Sequence, residues 1–140
     1  MISDKEDKII AKLNSAKASY MSNAKWKKLF AAFDSFAGKI DSVKWKFVFN
    51  ETASKNNIRG VLSCLEGNRF GDCHPSPYAE LRYIDWILIP AEFEDPRSDN
   101  KRALPKLKND IVQFKMHLKK HGEFPIFETK DGLMIKGYEW

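Results

Sequence analysis

The sequence predicts an α+β fold: one compact domain built on a mainly antiparallel sheet of about five strands, with helices packed on it. Three observations carry this. Apolar residues recur at intervals of three and four near both ends of the chain, the period drops to two between Val43 and Phe49, and glycine- and proline-rich turns separate the periodic segments. The order read from them is helix, helix, three strands, helix, two strands. At 140 residues, with 43% hydrophobic and 31% charged content, the chain is long enough to bury one core without metals or a disulfide framework.

Ser3 and Glu6 have capping-box spacing, and Ile9, Leu13, Ala16 and Tyr20 follow at helical intervals, predicting a first helix over 4–19. Its apolar stripe is thin, so residues 1–21 read as an N-terminal helical extension and 22–140 as the compact domain. Ser22 caps a second helix in which Trp26, Leu29, Phe30, Phe33 and Phe36 form one apolar face, with Gly38 as its stop signal. Val43, Trp45, Phe47 and Phe49 then alternate with Lys44 and Lys46, the clearest strand signal in the chain. A turn at 54–57 precedes a second strand over 58–65, and Gly67-Asn68 opens a loop. The third strand, 80–89, places Leu81, Tyr83, Asp85, Ile87 and Ile89 on one face and Arg82, Ile84, Trp86 and Leu88 on the other, with Asp85 interrupting an apolar row. Pro105 suits the first turn of a helix carrying Leu107, Ile111, Phe114 and Leu118, ended by Gly122, and a Lys130-Asp131-Gly132 turn predicts a terminal hairpin.

The net charge of +5 is unevenly spread: +6 over residues 1–60, −5 over 61–100 and +4 over 101–140. Two cysteines, Cys64 and Cys73, are too few for a disulfide scaffold, and no charged-then-apolar leader opens the chain, which together point to a reducing cytoplasm. The longest apolar run, Ile84 to Ala91, is broken by Asp85 and falls far short of the about 20 residues that span a bilayer.

Several short motifs resemble an uncharacterised bacterial family known only as a domain of unknown function: Asn23-Ala24-Lys25-Trp26 with Leu29-Phe30, Pro77-Tyr78-Ala79-Glu80 leading to Tyr83-Ile84-Asp85-Trp86, and Ile135-Lys136-Gly137-Tyr138. The resemblance covers residue 22 to the C-terminus. It implies a small bacterial protein, brings no catalytic residues or cofactor with it, and associates the chain with toxin neutralisation.

Four groups of residues invite a chemical reading. Cys73 beside His74 suggests a thiolate and its base, but adjacent residues in an extended loop point apart and no third orienting group is evident. His117 and His121, one helical turn apart, have the spacing of two metal ligands, yet Lys119 and Lys120 would repel a cation, and the site needs His74 or a cysteine to complete it. Asp85 must be paired if buried, with Arg59, Lys44 or Lys46 as candidates, and Glu80 lies on the opposite strand face, which removes a carboxylate pair. Lysines at 25, 27, 28, 44, 46, 106, 108, 115, 119 and 120 permit nucleic-acid binding, without any motif specific to it. No cofactor site is evident, and no catalytic residue is assigned.

The surface expected to matter most is a recognition loop formed by Asn68, Arg69, Phe70, Asp72, His74 and Tyr78, supported by the acidic residues Glu92, Glu94 and Asp95. Arginine and aromatic residues dominate protein interfaces, and an acidic patch steers a basic partner. The function expected is therefore stoichiometric binding to a protein, a cognate toxin above all, without catalysis.

Overall fold

The computed structural model describes residues 4–140, so the Ser3 half of the expected capping box lies outside the described residues. In chain order the elements are α1 (Asp4–Asn14), β1 (Ala18–Ser19), α2 (Asn23–Ser35), β2 (Lys44–Phe47), β3 (Ser54–Lys55), β4 (Leu65–Glu66), β5 (Arg69–Phe70), β6 (Ile84–Pro90), β7 (Glu92–Phe93), β8 (Leu107–Lys108), α3 (Ile111–His121), β9 (Ile126–Thr129), β10 (Gly132–Lys136) and β11 (Tyr138–Glu139). Five strands form one antiparallel sheet in the order β3-β2-β6-β10-β9, and three two-stranded ladders, β1–β11, β4–β5 and β7–β8, surround it. This is an α+β fold.

Burial decides which face of the sheet is the inner one. Trp45, Ile87, Ile135 and Ile126 are in register across four strands and face the helices, and the first three are buried. Ser22 caps α2, its Oγ accepting the Lys25 N–H at 3.1 Å, and the helix then buries Trp26, Leu29, Phe30 and Phe33 against this row. α3 docks beside it through Phe114, whose ring lies 4.4 Å from Phe33 and 5.1 Å from Phe36. Phe30 stacks on Trp45 at 5.8 Å, tying helix to sheet.

The structure departs from the sequence reading in several segments: the first helix ends at Asn14, short of the expected 19, and Leu81–Tyr83 form a 3-10 turn, so the strand expected from 80 begins at Ile84. Residues 58–65 are not a strand: Gly60 adopts φ +81°, Leu62–Cys64 form a 3-10 turn, and Ile58 and Val61 reach the core at a spacing of three. The second strand is instead β3, in the region expected to be only a turn. The helix expected from Pro105 begins at Ile111, because Leu107 and Lys108 pair with β7 first. Asn109 fixes that entry: its buried Nδ2 donates to Asp41 O and Pro90 O, both at 2.8 Å, and its Oδ1 accepts the Asp41 N–H at 2.7 Å.

Asp85 is resolved by a bulge. Lys46 pairs with Trp86 but Phe47 pairs with Ile84, leaving Asp85 as an extra residue. Ile84 thereby takes the core position that simple alternation assigns to Asp85. The carboxylate is buried, at 7% exposure, and meets Lys46 Nζ at 3.8 Å, while Trp140 Nε1 donates to it at 3.0 Å. Arg59, another candidate partner, donates to Phe36 O and Gly38 O at the end of α2.

The N-terminal segment expected as an extension is packed onto the domain along its length. Ile9 joins the core cluster, Lys12 Nζ donates to Val48 O at 3.1 Å, and β1 pairs with β11.

Candidate functional site

The loop between β4 and Leu81 is held from several sides. Gly67 turns the β4–β5 hairpin, and Phe70 is then paired a second time, its N–H donating to Ala79 O at 2.9 Å and its carbonyl accepting the Tyr78 N–H at 2.8 Å. Gly71 N–H donates to Cys64 O at 2.8 Å, and a disulfide joins Cys64 to Cys73 with Cα atoms 6.1 Å apart. Inside the loop, the His74 ring lies flat on Phe70 with centroids 3.9 Å apart and sits edge-on to Trp45 at 5.3 Å. His74 Nδ1 accepts the Ser76 N–H at 2.9 Å, so the neutral ring carries its proton on Nε2, which has no partner.

This arrangement revises the expected site. Phe70 is fully buried and His74 is 5% exposed, so both are internal pegs rather than partner-facing anchors, because Trp45 and the inner row draw their rings into the core. Cys73 has no thiolate to activate, being bonded to Cys64, and the His74 lone pair is spent on Ser76. Neither can complete a metal site with His117 and His121. The Nε2 atoms of those two histidines converge on Ser35 Oγ at 2.9 and 3.4 Å, but His117 Nε2 also contacts Ala32 O at 3.0 Å, and that contact requires the nitrogen to donate. Among the described residues no group of three or more His, Cys, Asp or Glu is placed to hold a metal.

Asn68, Arg69, Asp72 and Tyr78 remain exposed. Tyr78 is the most distinctive: 60% exposed, with φ +66°, a left-handed conformation rare for an aromatic residue. Beside it runs a groove of about 350 Å3 between the loop and α1, lined by Lys5, Ile9, Phe49, Pro77, Tyr78 and Tyr83.

The acidic residues do not share this surface. Glu92, Glu94 and Asp95 follow the far end of β6, a strand of seven residues spanning roughly 20 Å. Asp95 is 4% exposed and gripped by Arg97, with Nη2 at 2.8 Å and Nε at 3.1 Å; hydrogen bonds from the Arg97 side chain and backbone pull its pKa down to about 2. Glu94 shares a small cleft with Lys44, Lys55 and Lys106. This end also holds a cleft of about 540 Å3, lined in part by Ser42, Lys55, Asn57, Phe93 and Leu107. Ser42, at φ +56°, was not singled out from the sequence, where nothing marks a serine as left-handed.

No family model, curated protein or solved structure matches the chain. Among the described residues no helix is long and apolar enough to cross a membrane.

Two predictions arise from the loop. Opening the disulfide releases a loop closed across a separation of nine residues, which loop entropy sets at about 2–3 kcal/mol of stability. The Cys64→Ser/Cys73→Ser variant is expected to lose that amount in urea unfolding, and an unchanged midpoint would refute it. Burial also holds the His74 pKa below its ordinary value. Above the unfolded value of about 6.5 both states are neutral; below it the unfolded chain takes up a proton that the folded loop refuses, so stability falls as pH drops through that value toward the folded pKa. His74→Asn, which retains an acceptor for Ser76, is expected to show a smaller loss between pH 7.5 and 5.5 than the parent.

Proposed function

We propose that the protein is a stoichiometric protein-binding module of the immunity type, using the loop at residues 67–80 to cover a functional surface of its partner, with Tyr78 as the central anchor. The observation that carries this reading is the exposed Tyr78 side chain at φ +66° on a loop fixed by a disulfide, two β-pairings and the Phe70–His74 stack. A left-handed tyrosine costs on the order of 1–3 kcal/mol and persists only where its surroundings over-determine it. Holding a large aromatic ring in place before binding removes ordering cost at the moment of association. Asn68, Arg69 and Asp72 supply polar groups around it. The motif resemblance adds the toxin-neutralising association.

The test is co-expression with a toxin domain encoded beside this chain's gene. The expected result is a 1:1 complex and protected growth, with Tyr78→Ala weakening binding by at least about 30-fold, as for a dominant interface residue. Tyr78→Gly, which relieves the backbone, is expected to stabilise the fold while losing the partner. Binding indifferent to both substitutions, or neither complex nor protection with the parent, would overturn the reading.

Composition points to the cytoplasm, whereas the Cys64–Cys73 bridge supports an oxidising compartment, because cytoplasmic reductants keep thiols free. We give the bridge the greater weight. Protein acid-trapped from its host and alkylated is expected to show no free thiol, and two free thiols would return it to the cytoplasm.

A further inference from the structure

The face of the sheet opposite the helices has a chemistry of its own. Register places Lys55, Lys44, Leu88, Met134 and Phe127 in one row across all five strands, and Lys46, Trp86 and Lys136 in the next row across three. These eight positions hold four lysines and no carboxylate. Acids reach this face only from outside the two rows: Asp85, through the bulge, is matched by Lys46 and Trp140, Glu139 meets Lys136, and Glu92 and Glu94 share a cleft with Lys44 and Lys55 without an ion pair to either among the described residues. Lys136 lies over the Phe127 ring at 4.5 Å and pairs with Glu139 at 3.5 Å, whereas Lys44 and Lys55 have no side-chain partner among the described residues. Strands stand about 4.8 Å apart, so Trp86 sits midway between two lysine-bearing strands about 10 Å from each other. Trp86 is partly exposed, and its indole meets no other ring or cation among the described residues.

Cations flanking an open aromatic face fit a ligand that alternates anionic groups with flat rings. Single-stranded nucleic acid does so, offering a phosphate per nucleotide to lysine and an unstacked base to an aromatic platform. A duplex keeps its bases stacked, an acidic protein does not repeat a flat ring beside each anionic group, and a membrane calls for a broader apolar surface than Trp86, Met134 and Phe127 set among four lysines. We propose that this face binds single-stranded nucleic acid, with Trp86 as the stacking platform and Lys44, Lys55 and Lys136 as phosphate contacts, Lys46 being held inward by Asp85 and Phe47 O. The site is separate from the Tyr78 loop and does not depend on its role.

Fluorescence anisotropy with labelled single strands of about 15 nucleotides, oligo(dT) and oligo(U), tests this against a duplex of equal length, with sedimentation on phosphatidylglycerol vesicles and competition by polyglutamate as further arms. Two or three phosphate contacts predict that binding weakens roughly 7- to 20-fold when salt rises about fourfold. Lys44→Glu/Lys55→Glu is expected to weaken binding and flatten that slope. Trp86→Leu is expected to cost at least about fivefold in affinity while leaving the slope intact, as loss of stacking requires. The tighter of the two strands identifies the source as DNA or RNA. Circular dichroism checks the Trp86 variant, and the two charge changes, made at side chains facing solvent, keep the test decisive if that variant misfolds. No binding at low salt, equal binding to duplex, displacement by polyglutamate as readily as by oligonucleotide, or a preference for vesicles would each overturn the proposal.

Discussion

Gly132→Ala is expected to destroy the central sheet, with a stability loss above about 4 kcal/mol. Gly132 begins β10 at φ +152°, and a Cβ there would collide with Ile89 O and stand 2.9 Å from both Ala91 N and Pro90 Cα. All three are backbone atoms of β6 or its continuation, so no side-chain rotation relieves the clash. β6 and β10 must separate at Gly132–Pro90, where their ladder begins, and that ladder also seats Leu133 and Ile135. Domains of this size are stable by only about 5–15 kcal/mol, so the variant should be largely unfolded or melt far earlier. A urea midpoint within about 1 kcal/mol of the parent would show that the 130–132 turn can adapt.

Trp45→Ala is expected to cost about 3–5 kcal/mol and, unlike other core truncations, to loosen the recognition loop as well. Trp45 is the common neighbour of three layers: Phe30 of α2 stacks on it, Phe47 lies beside it on β2, and Phe70 and His74 lean edge-on against it from the loop. Removing the indole empties the seat of both internal pegs. Hydrogen exchange should therefore rise at residues 71–78, where the Tyr78 backbone depends on those pegs, by more than the global loss explains. Trp45→Phe is the control. Trp45 Nε1 is buried without a partner, so the smaller ring removes an unsatisfied donor, and its cost should be well below that of alanine. Equal exchange in the loop for parent and Trp45→Ala would sever the proposed link between core and loop.

These two residues show how differently parts of this protein were readable. Trp45 announced itself by alternating with Lys44 and Lys46, and the α2 face by its spacing and the Ser22 cap, because burial period is a local property of sequence. β3 and β8 left no such trace: each is two residues long and exists because a neighbour offers an edge, β2 in one case and β7 in the other. The need of Asp85 for a partner is legible in the sequence, with Lys46 among the candidates, but the bulge is hidden because alternation assumes an unbroken ladder. The loop was located correctly in the chain, while its inner and outer residues were not separable. Phe70 and His74 look like surface anchors until Trp45 is known to lie behind them, and the Cys64–Cys73 bond depends on a fold that brings residues nine apart together.

β6 is also a measuring rod. One end stands beside the Tyr78 loop and its groove, the other beside the cleft lined by Ser42, Phe93 and Leu107, and no residue lines both. With roughly 20 Å of strand between them, small molecules at the two ends would not touch one another. A substitution at one pole is therefore expected to leave the other undisturbed, and the stability effects of changes at the two ends should add.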